Sequence, residues 1–132
     1  MPLHIELKPG EKIFLGGAVI ENGETRSHLT VLNDVAVLRE KDIISDADAD
    51  SPCKRAYLAV QLMYMDPGNL ARYHQLYWGL VQDILAAAPS TVAYLDEISA
   101  HILAGSYYQA LKVGRQLIQY EKELMENAQQ ST

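Results

Sequence analysis

Ser45-Asp46-Ala47-Asp48-Ala49-Asp50-Ser51-Pro52 divides this chain of 132 residues into two stretches of different character. It carries three aspartates and no large apolar side chain, and residues 46–51 read as an acidic linker. The linker ends in a helix start. Ser51 is a good N-cap, and Pro52 suits the first helical turn, where its missing N–H has no partner to lose. Alternating aspartates also raise a calcium loop. Counted from Asp46, however, the glycine that such a loop needs at its sixth position and the glutamate at its twelfth are absent.

Upstream, residues 1–45 read as an antiparallel β module. Leu3, Ile5 and Leu7 alternate with His4, Glu6 and Lys8, the period of a half-buried strand. Pro9-Gly10 reads as a turn, Lys12–Leu15 as a short strand, and Gly16-Gly17 as a turn or bulge before an extended Ala18–Ile20. Asn22-Gly23 is a strong signal for a type I′ hairpin, which makes Arg26–Leu32 the return strand. Asn33-Asp34 turns again, and Val35–Leu38 forms the last strand. Arg39 and Lys41 close it with two cations among carboxylates. About five short strands make a sheet too small to be comfortable alone.

Downstream, apolar residues recur every three to four positions over 52–65, 69–87, 91–103 and 106–127, predicting about four helices. Asp66-Pro67-Gly68, Pro89-Ser90 and Gly105 separate them, and Ser106 with Gln109 can form a capping box. Residues 128–132 read as a polar tail that frays. The expected class is therefore α+β, a small sheet module followed by a helical region over 52–127.

Composition narrows the chemistry. The net charge of −6 argues against nucleic-acid binding driven by bulk charge. Residues 1–44 hold five cations against seven carboxylates, a net of −2. No apolar run approaches the ~20 residues that span a bilayer, and the first residues lack the pattern of a signal peptide, so a cytoplasmic protein is expected. His4, His28, His74 and His101 show no metal-ligand spacing with one another or with the single cysteine, Cys53. No nucleophile elbow or phosphate loop is present, so neither catalytic residues, a metal nor a cofactor are expected. Cys53 beside Lys54 and Arg55 in a first helical turn could carry a lowered pKa, although an ordinary partly buried thiol is the preferred reading. All eight tyrosines fall in the helical half. They either close a small core with wet edges or line a partner groove, for which Tyr73, Tyr77, Tyr107 and Tyr108 are the candidates.

Leu7–Gly16 and Asn33–Ile43, in this order and spacing, resemble the FlbT family of flagellar biosynthesis regulators. Leu3–Gly10, Leu38–Ile43 and Cys53–Tyr64 also look like that family, and the match extends over residues 1 to about 85 and more loosely beyond. The resemblance implies a post-transcriptional regulator that acts on the 5′ untranslated region of flagellin mRNA. It also implies a small partner called FlaF. The sheet half alone is similar to the CsrA family of β-sheet mRNA regulators. Pro9-Gly10-Glu11, Leu15-Gly16 and Asp34–Glu40 stand where that family has its motifs. Carried over position by position, Arg39 is the main RNA contact with Val37 beside it, and Ile5, Leu7 and Lys8 take the first-strand positions. Lys41 adds a second cation. Leu7 replaces an arginine of that family, and Leu38 a histidine. Strand exchange of the CsrA type would join Ile5 and Arg39 of different chains, so a homo-oligomer and a monomer are both open.

Two readings follow. In the first, the sheet module binds the flagellin mRNA leader and the helices bind a protein. In the second, the chain is an adaptor whose helices bind FlaF, flagellin or an export component, and its effect on mRNA is indirect.

Overall fold

The computed structural model describes residues 2–130, with the side chain of Gln130 and residues 131–132 outside what is described. The class is α+β: five strands precede four helices, and the chain separates into two compact units between Ile44 and Ser45.

The first unit holds β1 (Leu3–Leu7), β2 (Lys12–Leu15), β3 (Ala18–Glu21), β4 (Ser27–Val31) and β5 (Val37–Arg39). They form two antiparallel sheets, a β1–β4 pair and a three-stranded sheet in the order β3-β2-β5. Leu3, Ile5 and Leu7 stand opposite Val31, Leu29 and Ser27, which puts the apolar alternates of β1 and β4 on one face. Ile5, Leu7, Ile13 and Val31 make the core, with Leu15, Leu29, Val35 and Val37 packed against it. In the second sheet Phe14 faces Leu38 across β2 and β5, and both are buried.

The hairpin is not where Asn22-Gly23 predicts it. β3 pairs back onto β2, with Leu15 opposite Ala18, so Gly16 and Gly17 are the two turn residues. Their φ angles of 58° and 101° are the left-handed values that the turn requires and that side chains resist. Gly23 has no positive φ, and Asn22 serves a different purpose. Its amide donates to the carbonyls of Leu7, Lys8 and Thr25 at 3.2, 2.8 and 2.9 Å, and its Oδ1 accepts from Ser27 Oγ at 2.8 Å. The side chain thereby ties the end of β1 to the start of β4.

The second unit holds α1 (Pro52–Met65), α2 (Leu70–Ala87), α3 (Val92–Leu103) and α4 (Tyr107–Gln130). One-turn 3-10 segments at Pro67–Asn69 and Pro89–Thr91 make two of the corners, as the prolines predict. At the third, Gly105 takes φ 75° and closes α3. The Ser106 N–H donates to His101 O at 2.8 Å and the Gly105 N–H to Ile102 O at 3.0 Å, a Schellman ending. α1 packs on α2 and on α4, and α4 packs on α3. Because α1 has two helical neighbours, it buries more than one stripe. Ala59, Val60 and Gln61 are consecutive and all buried, whereas Leu58, Leu62 and Met65 are only half-buried. Gly114 of α4 lets Tyr57 of α1 lie close, since a Cβ there would stand 3.0 Å from the Tyr57 ring.

α4 outruns the expected polar tail. It continues through residues 128–130, because Glu, Lys, Ala and Gln are helix formers and no glycine or proline stops them. The rest of that tail, residues 131–132, lies outside the described residues.

The start of α1 is closed from another helix. Ser51 is its N-cap and accepts from the Lys54 N–H at 3.2 Å. Glu121 of α4 accepts from Ser51 Oγ at 2.5 Å with one oxygen and from the Cys53 N–H at 3.1 Å with the other. A carboxylate at a helix N-terminus also meets the positive end of the helix dipole. Glu121→Ala leaves the Cys53 N–H without this acceptor and is expected to cost about 1–3 kcal/mol. In a thermal melt it should lower the midpoint by several degrees, and Glu121→Gln, which keeps one acceptor, should lose less. A melt of Glu121→Ala that overlays the parent would contradict this role.

Candidate functional site

Lys8-Pro9-Gly10-Glu11 is a tight turn between β1 and β2, with proline and a glycine of φ 72° at its centre and the Glu11 N–H donating to Lys8 O at 3.1 Å. The turn aims the Glu11 carboxylate in two directions. One oxygen accepts from the Lys8 N–H at 3.0 Å, and the other accepts from the Arg39 guanidinium at 3.2 Å. Arg39 ends β5 opposite Ile13, so its side chain reaches Glu11 just before β2 begins. The Arg39 side chain remains 34% exposed. The Lys8 N–H, followed by the Arg39 charge, holds the Glu11 carboxyl below the usual carboxylate range. Glu6 is lowered in the same direction, mainly by its hydrogen bond and ion pair with Arg26, with a smaller contribution from Arg39. Arg39 is therefore a cation already engaged by a carboxylate. An incoming phosphate or base must share it or displace Glu11.

The structure joins the Lys8 main chain and the Arg39 side chain around Glu11. Lys41 is exposed in a single 3-10 turn over Glu40–Asp42, between two carboxylates. Val37 is half-buried opposite Leu15 and packs on the sheet core. Ile5 and Leu7 are buried, so as contacts for RNA they are corrected: their side chains are core. The reason is the strand period. The face of β1 that carries residues 3, 5 and 7 is the one that packs, and His4 and Glu6 point the other way, opposite Thr30 and His28. Sequence pattern alone does not reveal Glu11 as the partner of Arg39. Its place right after Pro-Gly is the available signal.

The tyrosines divide similarly. Tyr73 is buried and donates to Asp66 at 2.6 Å, which together with Asn69 pulls the Asp66 carboxyl down. Tyr77 is fully buried, shares a 3.0 Å hydrogen bond with Ser99 of α3, and has its hydroxyl pushed up to about 12 by burial. Both are inter-element struts rather than docking surface, a correction for these two. Tyr107 is half-buried. Tyr108 is exposed, with the Lys112 ammonium 5.7 Å above its ring and Tyr64 6.2 Å away. An aromatic pair that no sequence pattern singles out is Tyr94 and Tyr120, whose ring centres are 5.1 Å apart.

Cys53 is the one nucleophilic candidate, and its surroundings disarm it. Burial, followed by the charge and hydrogen bond of Glu121, pushes the thiol up to about 12. The carboxylate occupies the helix N-terminus that would otherwise stabilise a thiolate. Lys54, one of the two neighbouring cations, is paired with Asp50 at 3.0 Å. Among the described residues no group of three or more His, Cys, Asp or Glu could hold a metal ion, and no helix is long and apolar enough to cross a membrane.

The family model of flagellar protein FlbT matches residues 3–125. A probable flagellum biosynthesis repressor protein FlbT of Rhodopseudomonas palustris is 42% identical over 125 residues, which cover 95% of this chain and 98% of that one. A probable flagellum biosynthesis repressor protein FlbT 1 of Bradyrhizobium diazoefficiens is 44% identical over 125 residues, 94% and 85% of the two chains. The flagellum biosynthesis repressor protein FlbT of Caulobacter vibrioides is 38% identical over 125 residues, 93% and 89% of the two chains. No solved structure matches.

The environment of Cys53 has a simple consequence. At pH 8 the native thiol should react with an alkylating reagent at least about a hundredfold more slowly than the same thiol in denaturant, because its thiolate fraction is so small. Equal rates in the two states would show that the thiol is neither buried nor opposed by Glu121.

Proposed function

The chain belongs to the FlbT family of flagellar proteins, and from that premise we propose that it regulates flagellum biosynthesis after transcription. It acts in the cytoplasm on the 5′ untranslated region of flagellin mRNA. Relatives named as flagellum biosynthesis repressors give the direction of the effect. The observation that carries the RNA reading is Arg39, half-exposed at the end of β5 and paired with Glu11 of the turn that also carries the exposed Lys8. β5 lies at the end of the order β3-β2-β5 and has one sheet neighbour among the described residues. A strand edge with an arginine suits unstacked bases in a loop, which are read by hydrogen bonds and stacking and need few cations. Such a site fits a chain of net charge −6, on which a bulk electrostatic mode does not. Lys41 adds to the local field, and Val37 holds the strand in place.

A protein partner is the second part of the proposal. The helical unit exposes Leu76 and Trp78 on α2 and Leu103 at the end of α3. We assign FlaF, with flagellin as the alternative cargo, to this unit, whose exposed apolar side chains include these three. If these contacts alone carry the function, the chain is an adaptor and its effect on mRNA is indirect. Strand exchange into a homo-oligomer is the arrangement that would add a second chain to the Arg39 site, and light scattering on the purified chain reads it directly.

Arg39→Ala should weaken binding of the flagellin leader at least about tenfold, the size of one base or phosphate interaction removed. Its melting temperature should fall by a few degrees at most, because the Arg39–Glu11 ion pair is only partly buried. Glu11→Gln should act in the opposite sense and tighten leader binding several-fold by releasing Arg39. Anisotropy titrations at two salt concentrations measure both. Unchanged affinity in Arg39→Ala removes the site. If leader binding is absent in the parent chain while FlaF is captured with little salt dependence, the adaptor reading replaces it.

A further inference from the structure

A groove of about 570 Å³ runs between α3 and α4, remote in sequence from Arg39. Tyr94 of α3 lines one wall, and Lys112, Arg115, Gln116, Gln119 and Tyr120 of α4 line the other. Its chemistry differs from that of the unit around it, whose net charge is −4 over residues 45–132. Two cations face a single lining carboxylate, Glu123, and that carboxylate already accepts from the Gln119 amide at 3.3 Å. The aromatic members are held in place. The Tyr94 and Tyr120 rings lie 5.1 Å apart at a 37° tilt, and the Tyr120 hydroxyl donates to Ser90 at 2.6 Å, which anchors its far end. Both tyrosines are half-buried, so part of each ring still meets solvent. The cations are also positioned. The Lys112 ammonium lies 5.7 Å over the Tyr108 ring, and the Arg115 guanidinium donates to the Tyr57 hydroxyl at 3.4 Å.

We propose that this groove is a second RNA contact, in which an unpaired base stacks on the solvent-facing side of the Tyr94–Tyr120 pair and Lys112 and Arg115 meet its flanking phosphates. The inference rests on the RNA reading of the preceding subsection and adds a site to it in the helical unit. Each feature has a use for a nucleotide strand. Aromatic rings bind any base by its face, side-chain amides such as Gln116 and Gln119 can satisfy base edges, and cations beside the rings follow the backbone. An acidic peptide would use the two cations and leave the ring pair and both amides idle. The size lies within the range of pockets that take small aromatic ligands.

The test uses the full chain and a flagellin-leader RNA carrying 4-thiouridine. Ultraviolet crosslinks are expected on peptides containing Tyr94 or Tyr120. Lys112→Glu, and separately the double change Gln116→Ala with Gln119→Ala, should weaken leader binding about tenfold. All three positions are exposed, so the melts should match the parent. Lys112→Glu should also make the affinity less steep in salt, by about 0.7 in the logarithmic slope for each phosphate no longer neutralised. Tyr94→Leu keeps apolar bulk without a stacking face and should abolish the crosslink at that wall. If the parent chain binds the leader, yet crosslinks fall only within residues 1–44 and both sets of variants bind normally, the groove is overturned while the Arg39 site stands. If the parent chain binds no leader RNA, both readings fall. UMP or AMP bound as tightly as the leader overturns the strand assignment in favour of a free-nucleotide site. Polyaspartate that displaces the leader at equal charge concentration overturns the stacking assignment in favour of an acidic peptide.

Discussion

The carboxylate of Glu121 at the head of α1 is the contact on which the helical unit turns. A helix start leaves backbone N–H groups without partners, and burying them unpaired costs free energy. Ser51 meets one such group and Glu121 another, while Ser51 Oγ itself donates to Glu121. A single side chain of the longest helix thus closes the start of the first one. α1 is the helix on which both α2 and α4 pack, so its register sets theirs. The same carboxylate adds to burial, the larger cause, in keeping the Cys53 thiol protonated. One interaction therefore bears on two features, a helix start closed through tertiary contact and a cysteine without nucleophilic character.

The sheet unit solves a related problem with Asn22 and Glu11. Both are polar side chains outside the strands that satisfy backbone groups at the end of β1 and in the turn after it. Asn22 closes the gap between β1 and β4, and Glu11 closes the turn after β1. Glu11 has charge left over for Arg39. The residue that organises the turn is thus also the residue that pairs with the one arginine of β5.

Net charge and local charge point in different directions, and geometry reconciles them. An overall −6 spreads over both units, but Arg39 stands at a strand edge and the α3–α4 groove sets two cations beside a tyrosine pair, the features on which the proposed RNA contacts rest. Screening by salt acts hardest on diffuse fields, so a few directed contacts serve such a chain better than a basic face. The helical unit also leaves Leu76, Trp78 and Leu103 exposed, apolar side chains of the opposite character.

The α+β class, the change of character at residue 45, the four helices and the role of Asp66-Pro67-Gly68 as a stop were legible in the chain. They depend on period and on proline and glycine chemistry, which are local. Arg39 and Lys8 could be singled out by resemblance, while their junction through Glu11 could not. The misplaced hairpin shows why. Asn22-Gly23 and Gly16-Gly17 carry comparable turn signals, and only the pairing of Leu15 with Ala18 selects between them. Ile5, Leu7, Tyr73 and Tyr77 have side chains equally suited to a core or to a partner, and burial chose the core. Which segments coil and which extend was written in the residues themselves, because backbone preference is a property of neighbours. Tertiary packing set which faces remain available and which charges are already paired. Those outcomes join residues as far apart as Cys53 and Glu121, and no local pattern encodes such a distance.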